Sequence, residues 1–392
     1  MNRRTIIAAG IAIVLLAAWL AGEYGWRQSA LMLVGVLAGI ALYHAAFGFT
    51  SSWREFISGG SGAGLRAQML MLAATTIVFL PLIAQGEAFG SPLRGSVAPL
   101  ALSGIVGAFL FGIGMQLGGG CASGTLYTAG GGSTRMFVTL GGFIGGSVLG
   151  AWHLPAWDGQ PSIGTFSLLE NFGLPAGLGV NLLMLGSIVA LSLFVDRRRR
   201  ARKASAATQP ASAIQTAALR SSRHTWLSGP WPLLAGAAAL ALVNIATLLL
   251  AGRPWGVTAA FALWGSKLIA VFGADVAAWP YWSTPGRAAA LNDSILVDIT
   301  SVMNIGIVLG AALAAGLAGR YAPLWRIPLR SLLAAAIGGV LLGYGARLAY
   351  GCNIGAFFSG ISSSSMHGWL WFAAAFVGNI AGTRLRPAFR LT

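Results

Sequence analysis

Gly112-Ile113-Gly114-Met115-Gln116-Leu117-Gly118-Gly119-Gly120-Cys121-Ala122-Ser123-Gly124 and, far downstream, Gly343-Tyr344-Gly345-Ala346-Arg347-Leu348-Ala349-Tyr350-Gly351-Cys352-Asn353-Ile354-Gly355 read as two copies of one segment. Gly112, Gly114, Leu117, Gly120, Cys121 and Gly124 fall on Gly343, Gly345, Leu348, Gly351, Cys352 and Gly355. After a two-residue slip, Phe143 and Gly145 fall on Phe376 and Gly378. Each copy contains one of the chain's two cysteines. A duplicated apolar segment interrupted by glycine is the best sequence pointer to a substrate site near the midplane of a membrane transporter. Runs such as Gly118-Gly119-Gly120 and Gly130-Gly131-Gly132 are poor helix formers. Broken backbone inside a bilayer survives only where protein or a watery cavity surrounds it.

Outward from these copies, the 392 residues are 56% hydrophobic and 9% charged, against roughly 25% charged in a soluble domain. Apolar runs of bilayer-spanning length recur along nearly the whole chain. The expected fold is an all-α polytopic membrane protein with two pseudo-symmetric inverted halves and broken or re-entrant helices. About ten spans are placed near 5–22, 30–50, 67–84, 99–117, 134–152, 177–195, 231–251, 294–318, 328–349 and 367–383. The first run follows Arg3 and Arg4, lacks a clear small-x-small cleavage site, and reads as a membrane helix rather than a signal peptide. The short alternating strands that a β-barrel needs are not visible.

The net charge of +16 is carried almost wholly by arginine. These residues sit between the apolar runs, where they fix topology and touch anionic lipid headgroups. Nucleic acid is therefore not an expected partner. Residues 196–229, which open Asp196-Arg197-Arg198-Arg199-Arg200, are rich in Ala, Ser, Thr and Gln. They read as a flexible basic cytoplasmic linker between an N-terminal half, 1–195, and a C-terminal half, 230–392. With the linker inside, the apolar run 256–274 decides the rest. If it is re-entrant, Arg320, Arg326, Arg330 and the tail Arg384, Arg386 and Arg390 lie inside. The Cys121 and Cys352 turns then lie on opposite sides.

Each cysteine follows glycine and precedes x-x-Gly, so each is expected to open a short helix after a tight turn. Free backbone N–H groups at such an end attract anions, and a neutral thiol adds a soft, weak S–H donor. The bland reading makes each cysteine a small buried hydrophobe; their matching repeat positions favour a shared path. Ser133, Thr134 and Ser362 to Ser365, Ser364 among them, either hydrogen-bond an oxyanion or cap the next span. Arg347, whose counterpart is Gln116, either draws the anion in or snorkels to the interface. Lys267 and Asp298 either pair with another group or line the path. His44 either shuttles protons or is a hydrogen-bonded interfacial histidine. Trp53-Arg54 and Trp325-Arg326 read as interface anchors.

The Gly-Gly-Cys-Ala-Ser-Gly segment at 119–124, the Tyr-Gly-Cys-Asn-Ile-Gly segment at 350–355, Pro254-Trp255-Gly256-Val257-Thr258 and Phe261-Ala262-Leu263-Trp264-Gly265 resemble the YeeE/YedE family of sulfur-compound transporters. Phe47-Gly48-Phe49-Thr50-Ser51-Ser52-Trp53-Arg54-Glu55 is similar to that family's early motif. The resemblance implies a multi-pass inner-membrane protein with inverted halves. It implies a small sulfur-containing anion such as thiosulfate as cargo, passed between thiols by transient S–H···S hydrogen bonds. It makes Cys121 and Cys352 two of the functional cysteines; Gly120, Gly351, Ser133, Thr134, Ser364 and Arg347 are the further candidate path residues on the reading of the residues above. A soluble sulfur-acceptor protein is a further candidate partner, and no cofactor or metal is expected. The early motif typically has Phe-Cys-Phe where this chain has Phe47-Gly48-Phe49. Either two thiols suffice, or the substrate differs, or Thr50, Ser51 or His44 substitutes.

No GxxxxGK[ST] loop is present, so the chain itself is not expected to use ATP. The competing reading is a membrane thiol oxidoreductase or sulfur-transfer protein using the two cysteines, which lacks a CxxC motif and a nearby acid–base group. A structural or regulatory membrane subunit is the third.

Overall fold

A computed structural model of the chain describes residues 1–206 and 226–391. Helices α1 (Arg3–Glu23), α2 (Trp26–His44), α3 (Phe49–Ile57), α4 (Ala63–Gln85), α5 (Leu102–Gly118), α6 (Ala122–Gly130), α7 (Thr134–His153) and α8 (Leu168–Ala206) precede the undescribed segment. After it come α9 (Leu233–Ala251), α10 (Ala259–Val271), α11 (Pro285–Asn292), α12 (Ile299–Ala318), α13 (Leu329–Leu348), a π-helical turn (Asn353–Phe358), α14 (Ser359–Ser362) and α15 (Met366–Leu385). Sheet is confined to two small antiparallel pairs, β1 (Glu87–Ala88) with β2 (Ser91–Pro92) and β3 (Pro99–Ala101) with β4 (Ser162–Thr165).

Among the described residues, nine helices are long and apolar enough to cross a membrane. The 20-residue α15, which carries His367, Asn379 and Arg384, occupies the tenth expected position. The protein is an all-α, multi-pass membrane protein. Helix α10 has 13 residues, about 20 Å at 1.5 Å per residue. That is shorter than the ~30 Å hydrocarbon layer, so α10 does not span it alone.

Glycine lets the central helices touch through their backbones, the usual device where lipid offers no hydrophobic drive between helices. Helices α5 and α13 cross antiparallel. A Cβ on Gly107, early in α5, would stand 2.6 Å from the carbonyl oxygen of Gly345, late in α13. One on Gly114, late in α5, would stand 2.8 Å from that of Gly338, earlier in α13. The repeat positions exchange neighbours: Gly112 abuts Ala375 and Gly378 of α15, while its counterpart Gly343 abuts Phe143 and Gly146 of α7.

Four times a helix ends at a break, is followed by a short helix, and the chain then returns through another long one. The short helices α3, α6 and α10 and the π-helical turn have Gly48, Cys121, Thr258 and Cys352 as their N-cap residues. The backbone at the two cysteine turns is of the kind that glycine supplies: Gly119 has φ +86° and Gly351 has φ +150°.

Two expectations are revised. Helix α8 continues to Ala206, so Arg197 to Arg202 are helical rather than part of a flexible segment. Asp196 there accepts from Gly62 N–H and from Arg66 Nη1, the latter at 2.8 Å, tying α8 to the start of α4. Residues 207–225 of the expected linker lie outside the described residues. At its far end, Trp231 N–H donates to the His44 carbonyl. Trp53 is not an interface anchor. It is fully buried, donates from Nε1 to Gln68 Oε1 at 2.8 Å, and packs against Phe357, Trp371 and Phe372. Lys267 and Asp298 take the first of their two readings and pair with other groups: Lys267 caps the carbonyls of Leu291 and Asp293, and Asp298 caps α12 through Ser301 N–H.

Candidate functional site

Cys121 and Cys352 are both buried and free, and they belong to one contiguous apolar cluster. Helix α6 touches the π-helical turn, so the segments opened by the two thiols meet inside the protein. Cys121 Sγ accepts from Gly124 N–H at 3.4 Å and lies 3.5 Å from Ser123 Oγ, which makes it a true N-cap. A Cβ on Gly120 would come within 3.1 Å of Thr125 N, and one on Gly351 within 2.8 Å of Ala356 N. The glycine before each thiol therefore allows the turn to close against its own short helix.

Because α5 and α13 are antiparallel, the two turns lie at opposite ends of the pair. Gly119, after α5, sits beside Arg330 and Ser331 at the start of α13, and all three line one cavity of about 840 Å³. Arg54, Arg135, Arg386 and Arg390 line it too. Arg135 donates to the carbonyls of Gly118 and Leu117 at 2.6 and 2.7 Å, and Arg386 donates to that of Gln116 at 2.9 Å. Guanidinium groups thus satisfy the carbonyls that the end of α5 leaves open. Burial, with the like charges of Arg54 and Arg135 beside it, pulls Arg386 down to about 10. It stays a cation at neutral pH.

Gly351 and Gly355, flanking Cys352, line a second cavity of about 310 Å³ with Arg253, Arg287 and Arg347. Arg347 donates from Nη1 to Tyr281 Oη at 2.7 Å and from Nη2 to Thr258 Oγ1 at 2.8 Å. It therefore ties α13 to the N-cap of α10 and to the loop after α10. Among the described residues, no carboxylate lines either cavity. A glycine of each cysteine turn, Gly119 in one and Gly351 in the other, thus lines an arginine-rich cavity without carboxylates among the described residues.

The remaining expected site residues divide. Arg347 and Gly351 line the smaller cavity together, while Cys352, next to Gly351, is buried behind its lining. Gln116, the counterpart of Arg347, is instead fully buried and donates to Asn379 Oδ1 and the Thr50 carbonyl. Ser133 makes no side-chain cap, and Thr134 donates to the Leu324 carbonyl; neither reaches a thiol. Ser364 Oγ accepts from Leu169 N–H at 3.0 Å, fastening the start of α8. Its neighbour Ser363 accepts from Ser96 N–H, and Ser96 lines the smaller cavity. The arginines of the two mouths, apart from Arg347, were not singled out as a group in the sequence. They come from loops and helix ends hundreds of residues apart, and only the fold collects them.

Residues 44–381 match the protein family described as Sulphur transport. The chain is 29% identical over 366 residues to the thiosulfate transporter TsuA of Spirochaeta thermophila, covering 89% of this chain and 96% of that one. It is 35% identical over 174 residues to the probable transporter YedE of Escherichia coli, covering 43% of this chain and 42% of that protein. It is 23% identical over 359 residues to the Escherichia coli TsuA, covering 88% of this chain and 90% of that one. The match thus spans less than half the length of YedE but nearly all of either TsuA. With the family match running across all four helix breaks and both cysteine turns, the chain belongs to the YeeE/YedE family of sulfur-transport proteins.

Proposed function

We propose that the protein carries a small sulfur-containing anion, thiosulfate or a close analogue, across the inner membrane. The route runs from one arginine-lined mouth to the other past Cys121 and Cys352, between two halves of inverted topology. The observation that supports this most is the pairing of mouths with thiols. Each acid-free arginine cluster sits against one cysteine turn, and the two lie at opposite ends of the α5–α13 pair. Arg386, 9% exposed and crowded by other cations, is a buried charge of the kind that a bound anion stabilises.

Between the mouths lies an apolar cluster that holds both thiols. An oxyanion entering it loses water, and neutral S–H groups are the donors present at both turns. A soft thiol suits the terminal sulfur of thiosulfate better than a hard ammonium does. The exchange of neighbours between the two copies, with α7 against α13 as α15 is against α5, supports the inverted arrangement. Purified protein in liposomes, offered radiolabelled thiosulfate, sulfate, sulfite and selenium analogues in parallel, tests the proposal. Saturable uptake of thiosulfate competed by its close analogues is expected. An absence of uptake for every anion in the panel rejects it.

A further inference from the structure

The first break occupies the same structural place as the two cysteine turns but has no side chain at its N-cap. Gly48 precedes α3 as Cys121 precedes α6 and Cys352 the π-helical turn. Its backbone, φ −101° and ψ 119°, is ordinary extended chain open to any residue. What surrounds the vacant Cβ direction is hydroxyl. A Cβ there would stand 3.7 Å from Tyr127 Oη and meet the Oγ of Ser51, an exposed residue whose hydroxyl already donates to the Gly48 carbonyl at 3.2 Å. Tyr127 lies on α6, the helix that Cys121 opens. Thr50, next in the chain but one, is 4% exposed, and its Oγ1 has no hydrogen-bond partner among the described residues. Such a buried hydroxyl carries a desolvation cost unless something binds it. The segment is held firmly, because Gln116, five residues before Cys121, donates to the Thr50 carbonyl at 3.2 Å.

We propose that Tyr127 and Thr50 form an oxyanion-binding station at the first break, which holds the oxygen end of the transported anion where the N-cap has no side chain. This rests on the transport reading above and deepens it by naming residues that set specificity. O–H groups are stronger and harder donors than S–H, and a hydrogen bond to an anion is roughly twice as strong as a neutral one. The thiol and the hydroxyls thus address different ends of an asymmetric anion: the sulfur end faces Cys121, and the sulfonate-like oxygens face the hydroxyls of Tyr127 and Thr50.

The test uses full-length protein in liposomes with labelled thiosulfate. Tyr127→Phe and Thr50→Val each remove one donor with little change of shape. Each is expected to raise the half-saturation concentration on the order of tenfold, with the maximal rate and the thermal unfolding midpoint nearly unchanged. Adding Gly48→Ser to Tyr127→Phe returns a hydroxyl to the same space and is expected to recover most of the lost affinity, which a purely structural tyrosine would not allow. Unchanged half-saturation in both single variants overturns the station while leaving thiol-based transport standing. Absence of uptake by the unaltered protein overturns both.

Discussion

Arg347→Gln is the perturbation for which the structure gives the clearest magnitude. The guanidinium is one of three cationic groups lining the smaller mouth, and its stem packs against Gly150. Glutamine keeps the stem and removes the charge. At about 6 Å and an effective dielectric constant of about 40, one unit charge acts on each unit of anion charge with about 1.4 kcal/mol, close to tenfold in affinity. The change also leaves Tyr281 Oη and Thr258 Oγ1 without their guanidinium donor. Losing two such bonds at a partly buried site costs about 1–3 kcal/mol of stability. The expected result is a roughly tenfold rise in half-saturation for thiosulfate uptake into liposomes, together with a lowered unfolding midpoint. Tyr281→Phe separates the two effects, because it removes one bond to Arg347 and keeps the charge. It is expected to lower stability with at most a small change in half-saturation. Arg347→Lys keeps the charge but not the two-armed grip on Tyr281 and Thr258, so affinity is expected to fall between the other two. The Arg347→Gln difference also shrinks as salt is raised, through screening. If Arg347→Gln lowers the unfolding midpoint but leaves half-saturation unchanged at low salt, the arginine is a fastener of α10 to α13 and the electrostatic argument fails.

Gly351→Ala forces a Cβ to within 2.8 Å of Ala356 N at a φ of +150°. It is expected to cost about 1–3 kcal/mol and to reduce uptake, read as a lower unfolding midpoint; a midpoint equal to that of the unaltered protein would show that the turn relaxes freely. Gly48→Cys meets only the movable Ser51 hydroxyl and is expected to fold with unchanged stability, its third thiol counted by a thiol reagent in denaturant; aggregation instead would show the first break to be more tightly filled than described. Arg66→Ala leaves Asp196, whose side chain is 8% exposed, with the Gly62 N–H as its hydrogen-bond donor among the described residues and the charge of Arg200 nearby, and is expected to lower stability by about 1–2 kcal/mol, measured by denaturant or thermal unfolding, with uptake per folded molecule retained. Thiosulfate, by binding the folded state, is expected to raise the unfolding midpoint in proportion to the logarithm of its concentration above saturation, with a smaller rise in Arg347→Gln.

The membrane fold was legible because apolar length is a local property: most expected runs match a long helix within a few residues, but the run 30–50 crosses the break after His44 into α3, and α8 begins at Leu168 and runs on through its arginines. The same charges that suggested a linker are compatible with helix, since arginine is a good helix former and Arg199 is held by the Phe56 carbonyl. The turns at Cys121 and Cys352 were legible because glycine and cysteine repeat there in register. The breaks before α3 and α10 were not recognised as equivalents, because Gly48 and Thr258 share no side chain with the cysteines and only backbone geometry relates them. Trp53 was misread because Trp-Arg at a helix end looks like an interface anchor; its burial depends on Phe357 and Trp371, three hundred residues away. For the same reason, neither arginine mouth was legible as a unit. Arg330 and Arg386 each read alone as a topology charge, Arg54 as half of an interface anchor, and Arg135 carried no reading of its own.

Initial-rate uptake of labelled thiosulfate by liposomes containing Cys121→Ala or Cys352→Ala protein tests the central claim most directly. Each substitution removes only a sulfur atom from a buried site, so both variants are expected to remain folded, with a stability loss of about 1 kcal/mol. The account predicts that uptake falls to background in each while thermal unfolding remains cooperative. Uptake at the unaltered rate in both variants would contradict it and return the two cysteines to the role of small buried hydrophobes.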